Sequence, residues 1–384
     1  MHTIHLPDQA YDLVCRISTP SNRGDGPKKV DPKYPTILLC HPLSMDSFIF
    51  YPQYDDPMMY KHFNLVAFDQ PGHGFSYLKR PIEGEFTLDN AVEAIYLGLT
   101  ALDIKRVNVV STGTASGQAM HLISTHPELV ESLTMVMPSA PRDMGFISDA
   151  FDEWMEHLRA AVLGDDLEAL RLLSTSAFDF ATEREGDPAM RELKEENLQL
   201  FNSKQAIGQM NLALPTFDCW VKTRGQLLSE AEARKVVVPV LIIHDKEEGT
   251  EAFGQMVGTI NDACLASGRP IAATRLFLDN IARWATLSSP DRLNPILCQF
   301  IKTKSPPLIS SSIDPTAPLS PTLTRRPSTP RDKSGFHIVR PRPELAPKRK
   351  SLGDVMEGLR EKGETGGVVV EVEIMVKVDE VDGP

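Results

Sequence analysis

The sequence predicts an α/β protein built on a mostly parallel, doubly wound sheet. Two observations carry this prediction. Short apolar runs alternate with helix-length segments along residues 10–302, as in chains that return over a sheet through helices. Most of these runs are continuously apolar rather than alternating, which is typical of parallel strands that are covered on both faces.

Each predicted element follows from this rhythm. The predicted strands span residues 11–19, 36–41, 63–69, 106–112, 132–138, 238–244 and 275–278. A long stretch at residues 140–235 has helical spacing and no strand-like run, so we interpret it as a helical insertion. The sequence therefore predicts a core in two halves, residues 10–139 and 236–302, which the insertion separates.

The C-terminal segment, residues 303–384, differs in composition. Ten of the 30 prolines lie between residues 303 and 347, among Ser, Thr and Arg residues. Such a segment cannot bury enough apolar surface to fold, so we expect it to be mostly disordered. Residues 370–378 alternate valine or isoleucine with mostly charged residues, which predicts a strand that needs a partner.

Composition excludes several functions. A net charge of −12 argues against nucleic-acid binding, and the chain has no apolar run of the roughly 18 residues that a membrane span needs. The N-terminus lacks a secretion signal, so we expect a cytoplasmic protein. Five scattered cysteines indicate buried thiols rather than a disulfide or zinc framework. Neither a metal nor a nucleotide cofactor is expected, because the ligand spacings and glycine-rich loops are missing.

Residues 63–76, FNLVAFDQPGHGFS, resemble the Asp-x-Pro-Gly-His-Gly-x-Ser turn of the α/β-hydrolase superfamily. Further landmarks follow in the family's order, including His126-Pro127-Glu128 at a helix exit and VPVLIIHDKEE at residues 238–248. The resemblance covers residues 10–302 and implies the α/β-hydrolase fold, with the insertion as a lid over the substrate. It also implies a triad of nucleophile, histidine and carboxylate.

The nucleophile position carries no nucleophile in the alignment that we favour. Counting back from His126 places Gly113 at the centre of the nucleophile elbow, with small residues on either side. Glycine is favourable there, because the turn requires a positive φ. The alternative alignment makes Ser116 the nucleophile, but it puts larger residues at the flanking positions.

The other triad positions are also altered. Arg283 stands where the resemblance places the histidine, and an arginine cannot act as a general base near neutral pH. The acid falls on Glu248 or its neighbour Glu247, which would then pair with Arg283 or lie in an exposed loop.

The resemblance also places residues around the site. It implies backbone oxyanion donors at Leu43 and Thr114, and it puts His41 and Trp284 in the pocket. A packed or backbone-bonded role is nevertheless the favoured interpretation of His41.

Modification and import motifs fall in the tail. Ser328, Thr329 and Ser351 follow basic residues or precede proline, as kinase substrates do. Residues 347–350, PKRK, resemble a short nuclear import signal, so a nuclear location is the alternative to a cytoplasmic one.

Three functions stay open at this point. The favoured hypothesis is a protein that binds or transforms a small carbonyl-containing metabolite without ester hydrolysis. The second is an active serine esterase or lipase that uses Ser116. The third is a non-catalytic scaffold, a pseudoenzyme that binds protein partners through a phosphorylated tail.

Overall fold

The computed structural model describes residues 1–22, 29–139, 145–181, 194–195, 198, 204–223, 230–245, 250–269, 272–278, 281 and 284–304. The chain divides into two compact units, Met1–Pro307 and Leu308–Pro384. Everything described lies in the first unit, so the tail predictions fall outside the described residues.

The described residues form one eight-stranded sheet with the order β1-β2-β4-β3-β5-β6-β7-β8. β1 and β2 pair antiparallel, as do β2 and β4, and every later pairing is parallel. The strands are β1 (His2–Ile4), β2 (Leu13–Ser18), β3 (Thr36–Cys40), β4 (Asn64–Phe68), β5 (Val107–Thr112), β6 (Val130–Val136), β7 (Val240–His244) and β8 (Ala273–Phe277). The predicted fold class is confirmed, and only β1 had no counterpart among the predicted strands.

Helices cover the sheet and fill the insertion. They are α1 (Tyr51–Asp55), α2 (Pro57–Tyr60), α3 (Leu88–Ala101), α4 (Ala115–Thr125), α5 (Gly145–Leu163), α6 (Leu167–Ala181), α7 (Lys204–Thr223), α8 (Glu230–Ala233), α9 (Thr250–Ala266), α10 (Ala285–Ser288) and α11 (Pro290–Thr303). Within residues 140–235 the regular elements are all helices, α5 to α8, in the part that the structure describes.

The central strands are apolar because both of their faces are covered. Every residue of β3, β4, β5 and β7 is buried. Burial of a Leu, Ile or Phe side chain stabilises the fold by about 1.5–3 kcal/mol, so these strands contribute strongly to stability. The five cysteines are buried and free, as the sequence predicted.

A buried polar network joins the segment of α1 and α2 to α10 and α11. Gln53 donates from Nε2 to the carbonyl of Thr286 at 2.7 Å and to Oδ1 of Asn294 at 3.0 Å. Asn294 in turn donates to a carboxylate oxygen of Asp56 at 2.8 Å. Buried amides need such partners, because an unmade hydrogen bond costs more than a made one contributes.

Candidate functional site

The turn between β5 and α4 lies at the carboxyl edge of the parallel strands, where α/β proteins place their ligands. Its central residue is Gly113, with a φ of +55°. A Cβ atom on Gly113 would lie 3.4 Å from Cβ of Pro42, an ordinary contact distance. The turn therefore has space for a Cβ atom, and its backbone has the left-handed conformation that glycine adopts without strain.

Ser116 lies on the first turn of α4 rather than at this bend. Its side chain is 4% exposed, and its hydroxyl is 3.4 Å from that of Ser111. The positive φ thus belongs to Gly113, while Ser116 is part of a helix. This geometry favours Gly113 as the centre of the turn, and its equivalence to a nucleophile stays a prediction.

The backbone N–H of Leu43 is already engaged. It donates to the hydroxyl oxygen of Thr114 at 2.6 Å, which joins the loop after β3 to the start of α4. Leu43 and Thr114 are the two predicted oxyanion donors, so one predicted donor is occupied by the side chain of the other. The sequence showed that neither residue is proline, but it gave no sign of this contact.

His41 uses both of its ring nitrogens. Nδ1 is 3.0 Å from the carbonyl of Pro42, which can only accept, so Nδ1 carries the proton. Nε2 accepts a hydrogen bond from the backbone N–H of Gln70 at 2.9 Å. Burial lowers the pKa of His41, which favours this neutral form. His41 therefore has no nitrogen left for proton transfer.

Helix α7 covers the turn after β4 with aromatic side chains. Phe217 stacks on His73 with ring centroids 4.4 Å apart, and Trp220 is parallel to His41 at 6.4 Å. Burial, together with the nearby His41, lowers the pKa of His73 to about 3. Phe217 and Trp220 are three residues apart and so share a face of α7, but nothing in the sequence links that face to His73 or His41, and sequence reasoning identified neither aromatic residue.

The predicted acid and histidine positions, Glu248 with its neighbour Glu247 and Arg283, lie outside the described residues. Their surroundings are partly described. The carboxylate of Asp245, just after β7, accepts a hydrogen bond from the N–H of Ile281 at 3.2 Å, which joins the segments that follow β7 and β8. Trp284 belongs to the buried apolar core.

One known protein family matches the sequence over more than half of its length. The model of the alpha/beta hydrolase fold family matches residues 35–255, more than half of the chain. The chain belongs to the α/β-hydrolase family. No curated protein matches it.

Solved structures of α/β-hydrolases share the fold at low sequence identity. MGS-M2, an alpha/beta hydrolase enzyme from a Medee basin deep-sea metagenome library, is 16% identical with a TM-score of 0.56, covering 79% of this chain and 99% of its own. An enol-lactonase from Burkholderia xenovorans is 17% identical with a TM-score of 0.52, covering 76% and 97%. A carboxylesterase structure from Nitrososphaera gargenis is 11% identical with a TM-score of 0.54, covering 78% and 98%. At these identities the likeness concerns the fold.

A cleft of about 320 Å³ lies beside helix α4 of this α/β-hydrolase family member. It opens between the start of α3, the flank of α4 and the end of α7, and Gly117, one turn beyond Gly113, lines it. His121 lies in its wall, with Nε2 at 2.5 Å from Asp89. The cleft thus borders the helix that begins at the predicted site.

Neither a membrane-spanning helix nor a metal-binding cluster is found among the described residues. None of the helices in the described ranges is long and apolar enough to cross a membrane. Within the same part of the chain, no group of three His, Cys, Asp or Glu side chains is arranged to hold a metal ion. The candidate phosphorylation sites Ser328, Thr329 and Ser351 lie outside the described residues, as do the import motif and the 370–378 strand.

Proposed function

We propose that this α/β-hydrolase family member binds or transforms a small carbonyl-containing metabolite without triad ester hydrolysis. One observation carries the proposal. The residue with the positive φ between β5 and α4 is Gly113, which has no side chain to attack a carbonyl carbon. An acyl-enzyme intermediate requires a hydroxyl or thiol at that turn.

The surroundings of Gly113 support the same proposal. Ester hydrolysis also needs a base, and the two imidazoles described near the turn are poor candidates. Both nitrogens of His41 are hydrogen-bonded, and the pKa of His73 is lowered to about 3, too low for a base near neutral pH. Arg283, at the predicted position of the triad histidine, would leave the site without a general base.

The side chains around the turn favour a small ligand with an apolar body. Phe217 and Trp220 are buried and pack on His73 and His41, and Thr114 carries a hydroxyl at the start of α4. Aromatic walls with a few polar groups are typical of small-molecule sites. A carbonyl oxygen is the group that such a donor would bind.

An active serine hydrolase is the second candidate, because several structural neighbours are described as esterases or hydrolases. Under that reading, Ser116 would have to leave its buried position beside Ser111 and reach the substrate. A scaffold role through the tail is the third candidate and would leave the site without a ligand.

Labelling of the purified full chain with a fluorophosphonate probe tests the proposal. We expect no adduct by intact mass spectrometry from the wild type or from Ser116→Ala, and an adduct on an active esterase labelled in parallel. A stoichiometric adduct on Ser116 that disappears in Ser116→Ala, but not in Ser111→Ala, would overturn the proposal and establish a serine hydrolase.

The converse experiment restores the missing groups. Gly113→Ser places a hydroxyl at a turn that has space for its Cβ, and Arg283→His supplies the imidazole. Weak hydrolysis of p-nitrophenyl acetate by the double variant, and by neither single variant, would support the assignment of both positions.

A further inference from the structure

The contact between Leu43 and Thr114 has a consequence for ligand binding. The donor is a backbone N–H in the loop after β3, and the acceptor is a side-chain oxygen at the N-cap of α4. The distance from the Leu43 nitrogen to Oγ1 of Thr114 is 2.6 Å, which is within hydrogen-bonding range. It spans 71 residues of sequence, so it depends on the folded site.

We propose that Thr114 caps the Leu43 amide and so removes one of the two backbone donors that the family resemblance implies at the position of a substrate carbonyl. A backbone N–H points in one direction and makes one strong hydrogen bond. While the threonine oxygen occupies it, an oxygen of a ligand cannot bind there.

The cap changes which ligands the site favours. Two backbone donors at the start of a helix would attract an anion, such as a carboxylate or the oxyanion of an ester intermediate. A threonine hydroxyl that accepts from Leu43 still has its own hydrogen to donate, and no described residue accepts that hydrogen. The site therefore favours a neutral carbonyl or hydroxyl oxygen over a carboxylate. This inference rests on the proposed position of the site at Gly113, and it is independent of the loss of hydrolysis.

Amide exchange of Leu43 tests whether the cap exists in solution. Hydrogen–deuterium exchange is followed by two-dimensional NMR of the full chain in the wild type, Thr114→Ala and Thr114→Ser. We expect exchange at Leu43 to be about fivefold faster in Thr114→Ala, because one hydrogen bond is lost, and unchanged in Thr114→Ser. The control is Thr125→Ala, which removes a hydroxyl at the other end of α4 that bonds only within its helix.

Titration with phenylacetate tests whether the cap controls access. Thr114→Ala exposes the Leu43 amide to a carboxylate. We therefore expect the Kd of this variant for phenylacetate to be about tenfold lower than that of the wild type, whereas Thr114→Ser should keep the wild-type Kd. The Leu43 amide resonance should shift with phenylacetate in Thr114→Ala alone. Thermal unfolding of each variant checks that it is folded. Thr114→Ser, which retains the hydroxyl, separates the loss of the cap from a general loss of folding.

Either of two results overturns the proposal. Equal exchange at Leu43 in the wild type and Thr114→Ala would mean that the hydroxyl does not cap the amide. Phenylacetate binding that is no tighter in Thr114→Ala, including its absence from both proteins, would mean that the cap does not control the site. Fluorophosphonate labelling of Ser116 would refute the proposed function instead, and it would leave these exchange rates as they are.

Discussion

Replacement of Gly72 by alanine would bring the turn after β4 into collision with helix α7. Gly72 has a φ of +77°, and a Cβ atom there would lie 2.7 Å from Oγ1 of Thr216 and 2.8 Å from Cβ of Ala213. The threonine hydroxyl can rotate away, but the alanine Cβ moves only with the helix. Gly72→Ala therefore has to shift the turn or α7.

The loss of unfolding free energy in Gly72→Ala has two parts, and a matching change at Gly84 measures one of them alone. A non-glycine residue in the left-handed region costs about 1–2 kcal/mol, and forcing an extra carbon into a packed site costs about 1–3 kcal/mol. Gly72→Ala should thus lower the free energy of unfolding by about 2–5 kcal/mol. Gly84 has a φ of +80° and nothing within 4 Å of its Cβ position, so Gly84→Ala should show only the backbone part.

Urea unfolding of the wild type and both variants measures the difference. Gly72→Ala combined with Ala213→Gly should be less unstable than the two single changes added together, because the collision with the Ala213 Cβ disappears. Equal losses at positions 72 and 84 would refute the reasoning, since α7 would then not press on the turn.

Two further predictions concern buried polar groups. Because burial lowers the pKa of His73 from 6.5 to about 3, the unfolded chain binds a proton that the folded protein does not bind between these pH values. The free energy of unfolding should therefore fall as the pH is lowered through this window. His73→Asn should make the free energy of unfolding depend less on pH, whereas His62→Asn, at an exposed position, should leave that dependence unchanged. Asn294→Leu should lower the free energy of unfolding in urea by about 2–3 kcal/mol, because it leaves the buried Gln53 amide with one partner fewer. Asn90→Leu, at the exposed capping box of α3, should cost about 1 kcal/mol, and an equal loss at both positions would contradict the role of the network.

The strands were predictable because burial on both faces leaves a continuous apolar run. The prediction at residues 36–41 became Thr36–Cys40, and the one at 106–112 became Val107–Thr112. β1 was missed because it is a three-residue antiparallel edge strand, His2–Ile4, with a polar and partly exposed sequence. Short edge strands carry little hydrophobic pattern, so local reasoning does not find them.

The site was predictable only where a motif fixes the backbone. Counting from the helix exit placed Gly113 at the bend, and its positive φ agrees with that position. The capping of Leu43 by Thr114 and the stacking of Phe217 on His73 join segments that are far apart in the chain. Contacts of this kind depend on side-chain directions in the assembled fold, which spacing along the sequence does not encode.

The burial of all five cysteines makes the thiols reporters of unfolding. They lie on five different elements, β2, β3, α7, α9 and α11, and burial raises the pKa of Cys15 and Cys40 to about 12 and that of Cys219 to about 11. Thiol reagents attack the thiolate, so the native protein should react slowly. The order in which the five sites are alkylated under mild denaturant would then show which parts of the sheet and of its helical cover open first.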